Sequence, residues 1–180
     1  MTRHRMLASS AAAVAALSAI LALTVAFGSP LVSAVSPHVI WLSPRAFVAG
    51  QNIAGGHLAL SSPSGDEQQV TTDTVGDLQW VDYPLQLSNQ LKIKQVITCY
   101  KLDSAASFIS QVRLSRSKSP PTSTVVYDDG TDLTSTTGAC HNGMVASFIS
   151  VSGEITLSLR LNYASTGDAI DIGAIGIVTN

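Results

Sequence analysis

Charge and cysteine are both scarce in this chain, and each scarcity excludes something. Asp, Glu, Lys and Arg make up 12% of the 180 residues and sum to a formal charge of −2. A nucleic-acid binder needs a basic face to displace counterions. The nearest approach is Arg113, Arg116 and Lys118 beside Lys92 and Lys94, which reads as a solvated strand end running into the Pro120-Pro121 turn. Two cysteines are too few for a zinc centre, which takes three or four ligands, and only His141 lies near Cys140. There is no Gly-x-Ser-x-Gly elbow, no His-Glu-x-x-His and no glycine-rich phosphate loop. His38, His57 and His141 have no local partner motif, so neither cofactor nor catalytic residues are expected.

One more absence is informative. From Met6 to Pro37 there is no charged residue, while Arg3, His4 and Arg5 precede that run. The run is most apolar from Ala11 to Phe27, is broken by Gly28 and Pro30, and is followed by the small-residue exit Val32-Ser33-Ala34. Basic head, apolar middle, helix break and small-residue exit form the pattern of a secretory signal peptide. The sequence therefore predicts a helical signal segment at residues 1–34 cleaved after Ala34, with Gly28 as the second candidate site. The alternative is a retained anchor over residues 7–27, since about 20 apolar residues span a bilayer. No cysteine stands at the exit, which disfavours a lipoprotein, and Arg3 and Arg5 are not adjacent, which disfavours a twin-arginine signal. A Sec-type route to a secreted or periplasmic location is expected, with membrane contact only if the segment is retained.

Without residues 1–34 the chain carries 8 Lys and Arg against 12 Asp and Glu, a charge of −4. About 146 residues suffice for one domain with a sizeable core, here residues 35–180, within which 35–77 either joins the core or drapes loosely over it. Beyond residue 34 no segment shows the period of an amphipathic helix, and Ser, Thr, Val, Ile and Leu dominate, which favours strands. In the segment 154–163, Ile155, Leu157, Leu159, Leu161 and Tyr163 alternate with Glu154, Thr156, Ser158, Arg160 and Asn162, the mark of a strand between core and water. Leu91 to Leu102 alternates with a phase shift after Lys94, as at a β-bulge. Further strands are expected near 39–42, 46–48, 57–60, 78–87, 108–114, 122–127, 145–151 and 170–177. Loops are expected over 49–56 and 131–143, a tight turn at Asp128-Asp129-Gly130 and a two-residue hairpin turn at Ser152-Gly153. About eight strands with short turns imply an all-β fold, a β-sandwich of jelly-roll type.

In an exported chain an even cysteine count suggests a disulfide. Cys99 and Cys140 would close a loop worth roughly 4 kcal/mol by chain entropy; a metal pair or two free thiols are the alternatives. The pieces Tyr83-Pro84-Leu85-Gln86-Leu87, Leu91-Lys92-Ile93 leading to Cys99-Tyr100-Lys101-Leu102-Asp103, Phe108 to Arg113 and Ile172-Gly173-Ala174-Ile175-Gly176-Ile177 resemble a loose family of uncharacterised secreted bacterial β-sandwich proteins. The resemblance covers roughly residues 78–178 and implies the fold alone, since that family carries no established activity.

The large amphipathic rings are Trp41, Trp80, Tyr83, Tyr100, Tyr127 and Tyr163. Trp80 and Tyr83, flanked by Asp77 and Asp82, make the best pair for a ligand-binding surface, although side chains three apart on a strand point to opposite faces. Asp128, Asp129 and Asp132 around Gly130 could offer oxygens to Ca²⁺, but the spacing matches no helix-loop-helix calcium loop and a solvated turn is the competing reading. The leading functional expectation is a non-catalytic secreted or cell-surface sandwich with a structural, assembly or interaction role, its partners being further copies of itself or a surface glycan. The first alternative is a carbohydrate- or ligand-binding module using Trp80, Tyr83 and the nearby Asp77 and Asp82, and the second a hydrolase whose site is assembled only in three dimensions.

Overall fold

The computed structural model describes residues 37–180 apart from 53–56 and 119–121; the expected signal segment, its anchor alternative and the Pro120-Pro121 turn lie outside the described residues. Among these residues the chain forms eleven strands and one 3-10 turn: β1 (His38–Leu42), the turn Pro44–Ala46, β2 (Val48–Asn52), β3 (Leu58–Ser61), β4 (Gln68–Thr72), β5 (Gly76–Leu85), β6 (Lys92–Leu102), β7 (Phe108–Ser117), β8 (Ser123–Asp129), β9 (Ala139–Ser150), β10 (Ile155–Tyr163) and β11 (Ile170–Thr179). No described helix is long and apolar enough to cross a membrane.

The topology is a long hairpin folded on itself. Its four nested rungs are β4·β11, β5·β10, β6·β9 and β7·β8, all antiparallel. Rolling the hairpin brings β11 beside β6 and β10 beside β7. The sheet orders β4-β11-β6-β9 and β5-β10-β7-β8 follow, which is the arrangement of an eight-strand jelly roll. Three short strands extend it: β1 pairs with β11, β2 with β5, and β3 with β4. Residues 38–72 thus add strands to both sheets.

The alternation in β10 is borne out. Ile155, Leu157, Leu159, Leu161 and Tyr163 are all buried, at the centre of a core shared with Val81, Val112 and Leu114 of the same sheet and Ile93, Val96, Ile172 and Ile175 of the other. The Tyr163 hydroxyl donates to the Val70 carbonyl at 2.8 Å, so its polar end is satisfied by a strand of the opposite sheet. Burial pushes its phenol well above the ordinary range. Where β4 passes into β5, the fully buried Gln79 donates to Thr74 O at 2.6 Å and accepts from Thr72 Oγ1 at 2.9 Å, which satisfies an amide that would otherwise be costly to bury.

Several expectations need correction. The stretch 139–143 is strand, because β9 begins at Ala139 and pairs Cys140 with Cys99. Residues 49–52, expected as loop, continue the strand that begins at Val48 and pair with β5. The segment Gln68–Thr72 is a strand that its polar sequence concealed, and Asp128 and Asp129 end β8 and form no isolated turn. Ser152-Gly153 is no hairpin: β9 and β10 lie in different sheets, so the chain crosses between layers there with Gly153 at φ +81°. The shift after Lys94 is real; between Ile93/Ile149 and Gln95/Met144 the partner strand spends four residues against one. A second shift at Gly173-Ala174 lets β11 keep Ile172 and Ile175 both buried.

Candidate functional site

The five-stranded sheet turns its outer face to solvent, and register dictates what stands on it. One row crosses β5, β10 and β7 as Trp80, Arg160 and Gln111; the next runs Asp82, Ser158, Arg113 and, on β8, Asp128. Two bulges add to the rows. Between Arg160/Gln111 and Leu161/Ile109 the β7 strand carries an extra residue, Ser110, and between Leu161/Gln79 and Tyr163/Gly76 the β5 strand carries another around Asp77. Bulges re-aim side chains in this way: both Ser110 and Asp77 meet Arg160.

The result is a continuous hydrogen-bonded network. Arg160 donates from Nε to Asp77 Oδ1 at 2.9 Å and to Ser110 Oγ at 3.1 Å, from Nη1 to Gln111 Oε1 at 3.3 Å, and from Nη2 to Asp77 Oδ2. The bonds to Asp77 raise the guanidinium pKa further, against a smaller opposing effect of burial. Gln111 Nε2 donates to Asp128 Oδ1 at 2.6 Å, and Arg113 reaches both oxygens of Asp128 at 3.3 Å. The Arg113 guanidinium also sits 4.9 Å from the centroid of the Trp80 ring, a cation–π distance. Ser158 Oγ donates to Asp82 Oδ1 at 2.6 Å. Edge strand β2 presses on this end: a Cβ on Gly50 would collide with the Asp82 carboxylate, so glycine is what lets the strand pass.

Of the residues expected at a binding surface, Trp80, Asp77 and Asp82 share this face. Tyr83 does not: it stands opposite Leu157 on the inner side and packs edge-to-face on Phe47 with centroids 5.3 Å apart. Sequence reasoning missed Arg160, Gln111, Arg113 and Ser158. The available signal was the outward half of the β10 alternation, whose one charged side chain inside the strand is Arg160.

The calcium candidate is not assembled. Asp128 and Asp129 are neighbours on β8 and point to opposite sides; Asp128 joins the outer network, and among the described residues no group of three acidic, His or Cys side chains could hold a metal. Asp129 faces inward instead, accepting from Tyr127 Oη at 3.0 Å and Thr131 N at 3.0 Å and bonding His141 Nε2 at 2.8 Å. Partial burial raises the Asp129 carboxyl, but the bonds from His141, Thr131 and Tyr127 outweigh it and hold the group at about 2. Tyr127 is driven up, first by burial and then by Asp129. The cluster ties β8 of one sheet to β9 of the other, over Gly143, where a Cβ would collide with the Tyr127 hydroxyl. The other histidine–carboxylate pair, His57 Nδ1 and Asp73 Oδ2 at 2.9 Å, is exposed; among the described residues no serine hydroxyl bonds to either ring.

Cys99 and Cys140 are joined, with sulfurs 2.07 Å apart and Cα atoms 3.9 Å apart, on the outer face of the six-stranded sheet. They border a cleft of about 410 Å³ lined by Glu67, Lys101, Gly138, Ala139, Asp171 and Gly173.

Fold and surface together define an eight-strand jelly-roll sandwich with extra edge strands and a networked polar outer face. No family model matches the sequence, and no curated protein does. Solved structures align with most of the chain at low identity. A family 36 carbohydrate-binding module in complex with calcium and xylotriose aligns over 77% of this chain and 98% of its own, at 13% identity and a TM-score of 0.46. A second family 36 module, from a multidomain xylanase of the Trinervitermes trinervoides hindgut metagenome, covers 78% and 96% at 9% identity and a TM-score of 0.49. A xylan-binding domain from Paenibacillus barcinonensis covers 76% and 87% at 14% and 0.48.

Proposed function

We propose that this protein is a non-catalytic carbohydrate-binding module, exported by its N-terminal segment, whose residues 35–180 grip a glycan on the outer face of the five-stranded sheet. The observation that carries the reading is the setting of Trp80: an indole under the Arg113 guanidinium, in register beside Arg160 and next to Asp82 on the same face, with these groups fixed by bonds to Asp128, Asp77, Gln111 and Ser158. A sugar ring offers an apolar C–H face and a rim of hydroxyls that both donate and accept. An aromatic plane meets the first and preorganised planar carboxylate, amide and guanidinium groups meet the second, at little ordering cost. Asp77 and Asp128 are each matched by an arginine, which suits a ligand without strong charge. The reading rests on this surface, not on likeness of fold.

The test is isothermal titration of the full chain with neutral polysaccharides and their oligosaccharides, using Trp80→Ala and Arg113→Ala variants with unchanged urea midpoints. Affinity at this face should fall at least tenfold for Trp80→Ala, about 1.4 kcal/mol, and less for Arg113→Ala. Binding that survives Trp80→Ala intact, or no glycan binding at all, removes the proposal.

A further inference from the structure

The chain has two tryptophans, and the fold sends them to opposite sides of the sandwich. Trp41 lies on β1, at the outer face of the six-stranded sheet, and is 57% exposed. Register builds two regular rows around it across β1, β11, β6 and β9: Trp41, Gly176, Ile97 and Asn142 in one, Val39, Val178, Gln95 and Met144 in the other. Neither row contains a charge. Gly176 sets the indole down on the sheet, since the Cβ it lacks would stand 3.0 Å from Trp41 Cζ3 and 3.1 Å from Ile97 Cβ. The ring therefore extends over β11 towards Ile97, propped low against the sheet. At the far end of the rows Gln95 Nε2 donates to Asn142 Oδ1 at 3.0 Å. That bond leaves the Gln95 carbonyl as acceptor and the Asn142 amide as donor. The Cys99–Cys140 pair forms the next outward row beside Ile97 and Asn142, and the cleft borders it.

We infer that this face is a second glycan-binding platform, so that one domain holds two sugar chains on opposite sides and cross-links them. The class of ligand rests on the function proposed above; the site does not. Three features select a neutral glycan over other occupants. The rows span three strand spacings, about 14 Å, a strip suited to a short extended chain. They carry no basic residue for an anionic lipid headgroup and no charge pair for a protein rim. Their amide pair would lose its open donor and acceptor against a dry apolar partner, whereas sugar hydroxyls can pair with both.

Each face has its own reporter. Trp41→Phe leaves Trp80 as the single fluorescent indole, and Trp80→Phe leaves Trp41. Both full-length variants are titrated with xylohexaose, cellohexaose, mannohexaose and chitohexaose. A saturable emission change in Trp80→Phe, a calorimetric stoichiometry of two hexasaccharides per chain falling to one in Trp41→Ala, and precipitation of a long polysaccharide lost in either single alanine variant establish the second platform. A response confined to Trp41→Phe, with a stoichiometry of one, overturns it and leaves the Trp80 site standing. A response confined to Trp80→Phe does the reverse, keeping this platform and removing the first. Two other results overturn it: a blue shift of Trp41 on phosphatidylcholine vesicles without any response to sugars, or a concentration-dependent dimer that shields Trp41 and is dissociated by Trp41→Ala.

Discussion

β10 and β9 are successive strands of nine and twelve residues, and they are held by opposite means. β10 lies between β5 and β7, and five of its side chains are in the core. Among the described residues β9 is an edge strand paired only with β6; it is fastened by a disulfide, by the His141–Asp129–Tyr127 cluster and by Ile149. It also displays Met144 and Phe148 to solvent, at 61% and 54% exposure. A central strand is held by apolar burial together with pairing on both sides. An edge strand has pairing on one side only and needs cross-links that do not depend on being covered.

The largest break in this contrast should come from the centre. Leu159 is fully buried, and Leu159→Ala should cost about 4 kcal/mol, a deleted side chain plus the cavity left behind, read as a fall in urea midpoint. Next comes the edge. Replacing Cys99 and Cys140 together by alanine should cost about 3 kcal/mol, because the chain-entropy limit for a loop of this length is roughly 4 and native strain subtracts from it. Mass spectrometry should show a gain of two protons on reduction of the native chain. If the disulfide variant proves more damaging than Leu159→Ala, the edge is not secondary and the contrast fails.

The polar fastening of β9 should be smaller and pH-dependent. The Asp129 carboxyl is held at about 2 in the folded chain against 3.8 for the free side chain. A depressed acid stabilises the fold fully above pH about 4, and that contribution fades as pH falls towards 2. Asp129→Asn should thus lose on the order of 1–2 kcal/mol at pH 6, and its deficit relative to the native chain should shrink to a small fraction of that by pH 2. Asp73 is also lowered to about 2, mainly by the backbone amide of His57, so native acid unfolding alone would mix the two; the difference between variants separates them. Smallest of all, Phe148→Ser should change stability by less than about 0.5 kcal/mol, as an exposed site with no buried partner should. A loss above 1 kcal/mol would mean that the exposed flank of β9 is packed.

The same contrast explains what could be read in advance. β10 was legible because a strand with one face in the core and one in water must alternate, and its five apolar positions left no other phase. β9 was not. Its first residues, Ala139 to Gly143, are small and polar because one face is solvent and the other is Gly143 lying under Tyr127. β4 was hidden likewise: Gln68 and Thr72 are buried with hydrogen-bonded side chains, which no hydrophobic period can signal. At the candidate site, Trp80 and Asp82 were legible as i, i+2 neighbours, and Tyr83 was separable by parity. Arg113, Gln111 and Asp128 were not, because they reach Trp80 and Arg160 from other strands, and the bulges that bring Ser110 and Asp77 into the network are visible only in the register.

The nested rungs also set an order of events. Ser117 meets Ser123, Cys99 meets Cys140, Leu85 meets Ile155 and Val70 meets Ile170. Loop-closure entropy rises with each step outward, and contacts so distant in sequence make for slow folding. We expect the chain to zip from β7·β8 outward, with the disulfide catching the second rung and shortening the remaining closures to β5·β10 and β4·β11. A chain reduced throughout refolding should gain amide protection on β4 and β11 markedly later than an oxidised one, while protection on β7 and β8 arrives at the same time in both. Seen in this way, the bridge is a ratchet on the assembly of the roll as well as a brace for its edge.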